Sequence, residues 1–218
     1  MGAADHLKTY TAVELERFAR QHLQELKKLR RFSIPVDIEA IVENLGIEIE
    51  VKRGLKEHHN IWGMIVIDLD TTGLVILVDD KLLDLDHLRK IYRMTVAEEF
   101  AHSFLHKNAI ENVRSIEDFK AFQNHPEWHK HDRNAKRMAA ALLMPAEYVL
   151  NDCRKLYKQM IEIAGYDNPE SIKKYIANEL AEKYEVSVHA MKIRLSEWPI
   201  KVTEKIGQAI QDKLDFLE

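Results

Sequence analysis

The segment AEEFAHSFLH, residues 97–106, places Glu98, His102 and His106 four residues apart. On an α-helix such positions share a face, so a carboxylate and two imidazoles form one stripe. Glu99 stands beside the first of them. Two metal ligands one turn apart with an adjacent glutamate is the arrangement of the zinc-peptidase helix H-E-x-x-H. There the metal lowers the pKa of a bound water and the glutamate takes its proton. Here the first histidine of that pattern is Glu98. Zinc also accepts carboxylate oxygen, so Glu98 and His102 are candidate metal ligands and Glu99 is a candidate general base. Phe100, Phe104 and Leu105 point to other sides of the helix, into apolar surroundings. The competing reading of Glu98, Glu99 and His102 is a charged face exposed on an amphipathic helix, since short motifs often match by chance.

A third ligand must come from elsewhere in the chain. Four segments occur in order: IPVDIEAIVENLGIEI (34–49), RMTVAEEFAHSFLH (93–106), DRNAKRMAAALLMP (132–145) and LAEKYEVSVHAMKIRL (180–195). Together they resemble the ImmA/IrrE family of metallopeptidases over roughly residues 30–197. The resemblance implies a zincin-like fold and one divalent metal. It implies a substrate among regulatory proteins of the repressor type, often helix-turn-helix transcription factors of mobile elements or stress responses. In that family the metal is held by the two histidines of H-E-x-x-H and by the glutamate that opens E-x-x-A-N. Carried over, His102 matches the second histidine and Glu99 the base.

Three positions depart from the family's pattern. Glu98 replaces the first histidine, Asp132 the third-ligand glutamate and Lys136 the asparagine. Glu98, His102 and Asp132 would make a set of one imidazole and two carboxylates, which suits Zn²⁺ and also Mn²⁺ or Fe²⁺. Lys136 follows Asp132 by four residues on the same face. It is placed to neutralise Asp132 or Glu98 and to set an ion pair where the metal would lie. His106 reads as a supporting or surface histidine. His125, His129 and His131 precede Asp132 closely, either as solvated loop residues or with one of them as a replacement ligand. His58 and His59 read as loop residues first and as part of a substrate cleft second.

These residues need elements to hold them. Residues 11–31 read as a helix with a capping box at Thr11 and Glu14, and a second helix follows Pro35 and ends near Gly46. Strand-like runs lie at 47–52, 62–69 and 74–79, the last two flanking the turn DTTG as a hairpin. A long helix is expected over 84–107, a polar mixed stretch over 108–130, an Ala-rich helix over 131–150 and helices over 154–217. The fold class is therefore α+β: a zincin-like core with a small mixed sheet, an active-site helix and a helical C-terminal part. The expected organisation is an N-terminal helix (1–32), a metallopeptidase-like core (33–150), a helix-turn-helix-like extension (151–200) and a C-terminal helix (201–218).

The 218 residues are 46% hydrophobic and 31% charged, with a formal net charge of −4. That composition fits a folded globular chain and gives no global reason to bind nucleic acid. Cys153 is the one cysteine, so no internal disulfide forms. No apolar run reaches membrane-spanning length, the N-terminal MGAADHLKTYTAVE has no apolar core of signal-peptide length, and a cytoplasmic location is expected. Residues 178–197 have helix-turn-helix texture with Lys192 and Arg194 on the second helix, but Glu179, Glu182 and Glu197 flank it. A DNA-binding regulator is thus the third reading. It stands behind a metal-dependent endopeptidase acting on a regulatory protein and an inactive relative that only binds one. The terminal stripe of Ile206, Ile210, Leu214 and Leu217 packs on the domain or forms a homodimer contact.

Overall fold

The computed structural model describes the backbone of residues 8–164 and 168–215, and the side chains of these except residues 86, 162–164 and 209–215. The chain divides into two compact units, Met1–Leu143 and Met144–Glu218.

In the first unit, α1 (Ala12–Lys28) opens on the expected capping box, with Thr11 accepting from the Glu14 N–H and Glu14 accepting from the Thr11 N–H. Its buried stripe is Leu15, Ala19, Leu23 and Leu26. Helix α2 (Ile38–Glu43) is capped by Asp37, whose carboxylate accepts from the Ala40 N–H at 2.9 Å. Strand β1 (Glu48–Lys52), the short helix α3 (Leu55–His59), β2 (Gly63–Ile67) and β3 (Leu74–Asp79) follow. β2 and β3 form the antiparallel hairpin, β1 joins β3 in parallel, and the mixed sheet runs β1-β3-β2.

The helix expected over 84–107 is broken into pieces. α4 (Lys81–Asp84) stops at Leu85, whose extended backbone (φ −125°, ψ 106°) ends the helical run. A 3-10 turn at Asp86–Leu88 leads into α5 (Arg89–Leu105), and α6 (Lys107–Ile110) follows. The polar mixed stretch over 108–130 holds α7 (Ile116–Gln123), capped by Ser115. Helix α8 (Trp128–Leu143) starts ahead of Asp132, so the HKHD residues are helical.

α5 is the central element of this unit. It packs against β2 and β3 and against α8, while α1 packs on α8. His22 of α1 meets Phe100 and Phe104 edge-on at 4.9 and 5.0 Å between ring centroids. The Tyr10 hydroxyl donates to the Leu105 carbonyl at 3.0 Å, and the buried Arg93 donates to the Val36 carbonyl at 2.9 Å. These bonds fix α5 at both ends against distant parts of the chain. Against the sheet the approach is close: a Cβ on Gly63 would lie 2.3 Å from Thr95 Cγ2 and 3.5 Å from Glu99 Cγ. Only glycine lets β2 lie that near α5.

The second unit is helical: α9 (Ala146–Ala164), α10 (Pro169–Lys183), α11 (Val188–Ser196) and α12 (Val202–Asp215). α10 and α11 pack on one another through buried Ile172, Ile176, Leu180, Met191 and Leu195. The turn between them passes through Glu185 at φ 50°, and Ser187 caps α11 by accepting from the Ala190 N–H at 3.1 Å. The buried Tyr184 donates to Asp152 at 2.8 Å. Cys153 is buried, which pushes its thiol up to about 12 and makes it a packing residue. Of the terminal stripe, Ile206 is buried, and the side chains of Ile210, Leu214 and Leu217 lie outside the described residues. Among the described residues, no helix is long and apolar enough to cross a membrane.

Candidate active site

α5 and α8 present facing stripes. Glu98 and His102 lie along α5 with His106 directly after its end, and Lys136, Asp132 and Trp128 lie along α8 at the same four-residue interval. The partners run in opposite senses, with Lys136 and Asp132 beside Glu98 and Trp128 against His102. Spacing alone put each stripe together, and the packing of α5 on α8 puts them opposite.

The site divides into two chemically distinct halves. The first is carboxylate and ammonium. Lys136 Nζ donates to Asp132 Oδ2 at 2.8 Å, an ion pair within one turn of α8. Glu98 lies alongside. Burial pushes it up to about 7; Lys136 opposes that shift and Asp132 adds to it. Glu99 is buried more deeply. Burial first, and then the charge of Glu98, hold its carboxyl well above the usual range. The Ile65 N–H, on β2, donates to it, while its Oε2 is buried without a partner. Burial opposes the charge of Lys136, but the Asp132 hydrogen bond and the three carboxylates outweigh it and raise the ammonium's pKa.

The second half is imidazole and aromatic. His102 Nδ1 lies 3.0 Å from His106 Nδ1, so one ring donates and the other accepts. His102 also stacks flat on Trp128, with ring centroids 5.1 Å apart and 2° between planes, and Phe122 meets it edge-on at 6.0 Å. Burial, then His106, Lys136 and His131, depress its pKa well below the ordinary imidazole value. Burial and His131 push His106 down to about 3. The His106 and His131 rings lie 4.9 Å apart. Both nitrogens of His131 and Nε2 of His106 are buried without partners.

The metal-ligand set expected from sequence is therefore not assembled. Glu98 and Asp132 come together around Lys136, while His102 directs Nδ1 to His106 inside an aromatic wall. Among the described residues, no group of three His, Cys, Asp or Glu side chains converges to hold an ion. As they stand, the residues do not fit a divalent metal.

The neighbouring histidines also differ from expectation. His131, read as a solvated loop residue, is fully buried on α8. His125 is half-buried, with Nδ1 accepting from the Glu127 N–H at 3.2 Å, and His129 is exposed. His106 is buried and partners His102. His58 and His59 lie on α3, where His59 Nδ1 is 3.1 Å from Lys120 Nζ. Trp128, Phe122 and Ile65 were not foreseen as neighbours of the site. In the second unit, Arg194 is buried and its Nε donates to the Met144 carbonyl at 3.0 Å. It therefore presents no charge to a nucleic acid phosphate.

A mixed α+β core with an E-E-x-x-H helix packed against its small sheet is the framework of a zincin-like metallopeptidase. The IrrE N-terminal-like domain family of metallopeptidases matches residues 84–196, just over half of the chain, and the chain belongs to that family. The match takes in α5, α8 and the α10–α11 pair. The segment at 34–49 that also resembles the family lies ahead of it. Comparison with curated proteins gives no match. Family membership gives the chain a metallopeptidase-like character and suggests a metal cofactor.

Proposed function

We propose that this chain grips a segment of a regulatory protein of the repressor type on a peptidase scaffold and does not cut it. One observation carries the reading: Glu98, His102 and Asp132 point into two different local networks instead of at one centre. Burial and the charge of Glu98 raise the Glu99 carboxyl well above the ordinary carboxylate range, which works against the charged form that a general base needs.

A second reading is a metal-dependent endopeptidase on the same class of protein, with Glu99 as base and Glu98, His102 and Asp132 as ligands. The orphaned Oε2 of Glu99 favours it, since a buried acceptor without a partner is a recurrent mark of a working site.

The test is to isolate the bound regulator from the native host with wild type and with Glu99→Gln. The purified partner is then incubated with each protein in the presence of Zn²⁺, Mn²⁺ or Fe²⁺. The binding reading expects equal retention and an intact partner throughout. Cleavage by wild type that vanishes in Glu99→Gln would overturn it in favour of the second reading.

A further inference from the structure

We propose that the ammonium of Lys136 stands in for the divalent cation: it is a tethered counter-ion that makes the site metal-independent and keeps metal out while it is there. The inference rests on the binding reading in one respect only, that the native chain uses its scaffold without a metal.

The geometry is the starting point. Lys136 Nζ bonds Asp132 Oδ2 at 2.8 Å. Its charge is also felt by Glu98, Glu99 and His102. Every residue that spacing assigns to the ligands or the base therefore lies within the field of this one side chain. A lysine carries three donors and no acceptor. It can satisfy carboxylate oxygens, but it has no use for an imidazole lone pair. That difference explains why the site divides as it does. Asp132 turns to the cation, and Nδ1 of His102 finds the other available partner, His106.

The charge balance agrees. A divalent ion offsets two negative charges and an ammonium offsets one. Asp132 bonds Lys136 directly, and Glu98 and Glu99 lie within reach of its charge. One tethered cation thus offsets part of the negative charge that a metal would otherwise neutralise. Glu98 in place of histidine adds a negative group beside Asp132, and Lys136 supplies the positive one. The two departures from the family's pattern are compensating.

The test is metal binding by the full chain, purified without chelator or tag metal. It is read by bound-metal analysis and by the shift of Tm at saturating ZnCl₂ or MnCl₂. Wild type is expected to hold no metal and to show no shift. Lys136→Met keeps the stem and removes the charge. It is expected to take up about one equivalent and to rise in Tm by several degrees, because a ligand that binds only the native state stabilises it. Adding Asp132→Ala should abolish the uptake. Should Lys136→Met fail to fold, Glu98→His/Lys136→Met decides. It restores the spacing of H-E-x-x-H and removes one charge of each sign, and it is expected to bind zinc.

Folded variants that bind no better than wild type would overturn the proposal and leave the binding reading standing. Wild type holding one equivalent that Asp132→Ala removes would overturn both.

Discussion

At the scale of single residues, Glu98 gives the clearest pH signature. Its carboxyl is raised to about 7, chiefly by burial and further by Asp132, whereas in the unfolded chain it titrates near ~4.3. Between those values the native state holds a proton that the unfolded state has released, so stability falls as pH rises from about 4.5 to about 7. Glu98→Gln mimics the protonated form and is free of this loss. Relative to wild type, the variant should gain about 1–3 kcal/mol between pH 5 and pH 8, measured as the difference in urea unfolding free energies. A difference that stays constant with pH would show that Glu98 titrates normally. The stripe of Glu98, His102 and His106 was legible in the sequence because helical spacing alone builds it, and so was the reach of Lys136 to Asp132. The direction His102 faces was not. It is decided by Trp128 and Phe122, which reach it through the fold and leave no periodic signal.

At the scale of elements, the contact of β2 with α5 sets the depth of Glu99. A methyl group on Gly63 would collide with Thr95 Cγ2 at 2.3 Å, and α5 is held elsewhere by Tyr10 and Arg93. Overpacking at such a site costs about 1–3 kcal/mol. Gly63→Ala should lower Tm by that equivalent, and Thr95→Ser, which removes the offending methyl, should restore most of the loss when the two are combined. Additive losses would mean that the strain lies elsewhere. The hairpin follows from the two apolar strand-like runs that flank DTTG, but the parallel pairing of β1 rests on a crossover that local pattern does not report. The break at Leu85 was also hidden, since neither Gly nor Pro marks it. The early start of α8 had a weaker signal: Pro126, two residues ahead of Trp128, ends any helical run before it.

At the scale of the whole molecule, the histidines decide the response to acid. His22, His102, His106 and His131 all have depressed pKa values, burial being the first cause in each. The native chain therefore leaves them neutral where the unfolded chain, with imidazoles near ~6.5, protonates them. Stability should fall as pH drops below about 6.5. Each such group contributes about 1.4 kcal/mol per pH unit until its folded value is reached. Glu98 works in the opposite sense across part of that range. Thermal midpoints between pH 7.5 and pH 5 should decline, and His22→Leu should remove about one proton's worth of the slope. A flat profile would contradict neutral burial. The family match crosses from the first unit into the second, so it takes in residues of both.

In evolutionary terms, the facing of Glu98 and Lys136 acts as a ratchet. Glu98→His alone would set an imidazole against an ammonium. Neutralising Lys136 alone would leave Asp132 and Glu98 without their counter-ion. Each single step toward a metal site passes through a less stable protein, while the two steps taken together do not. In the four-member cycle of these exchanges, both single variants should be less stable than wild type and double variant alike, with a coupling energy above about 0.5 kcal/mol. A lineage that has acquired both residues meets a loss of stability at either single change, and only the paired change avoids it.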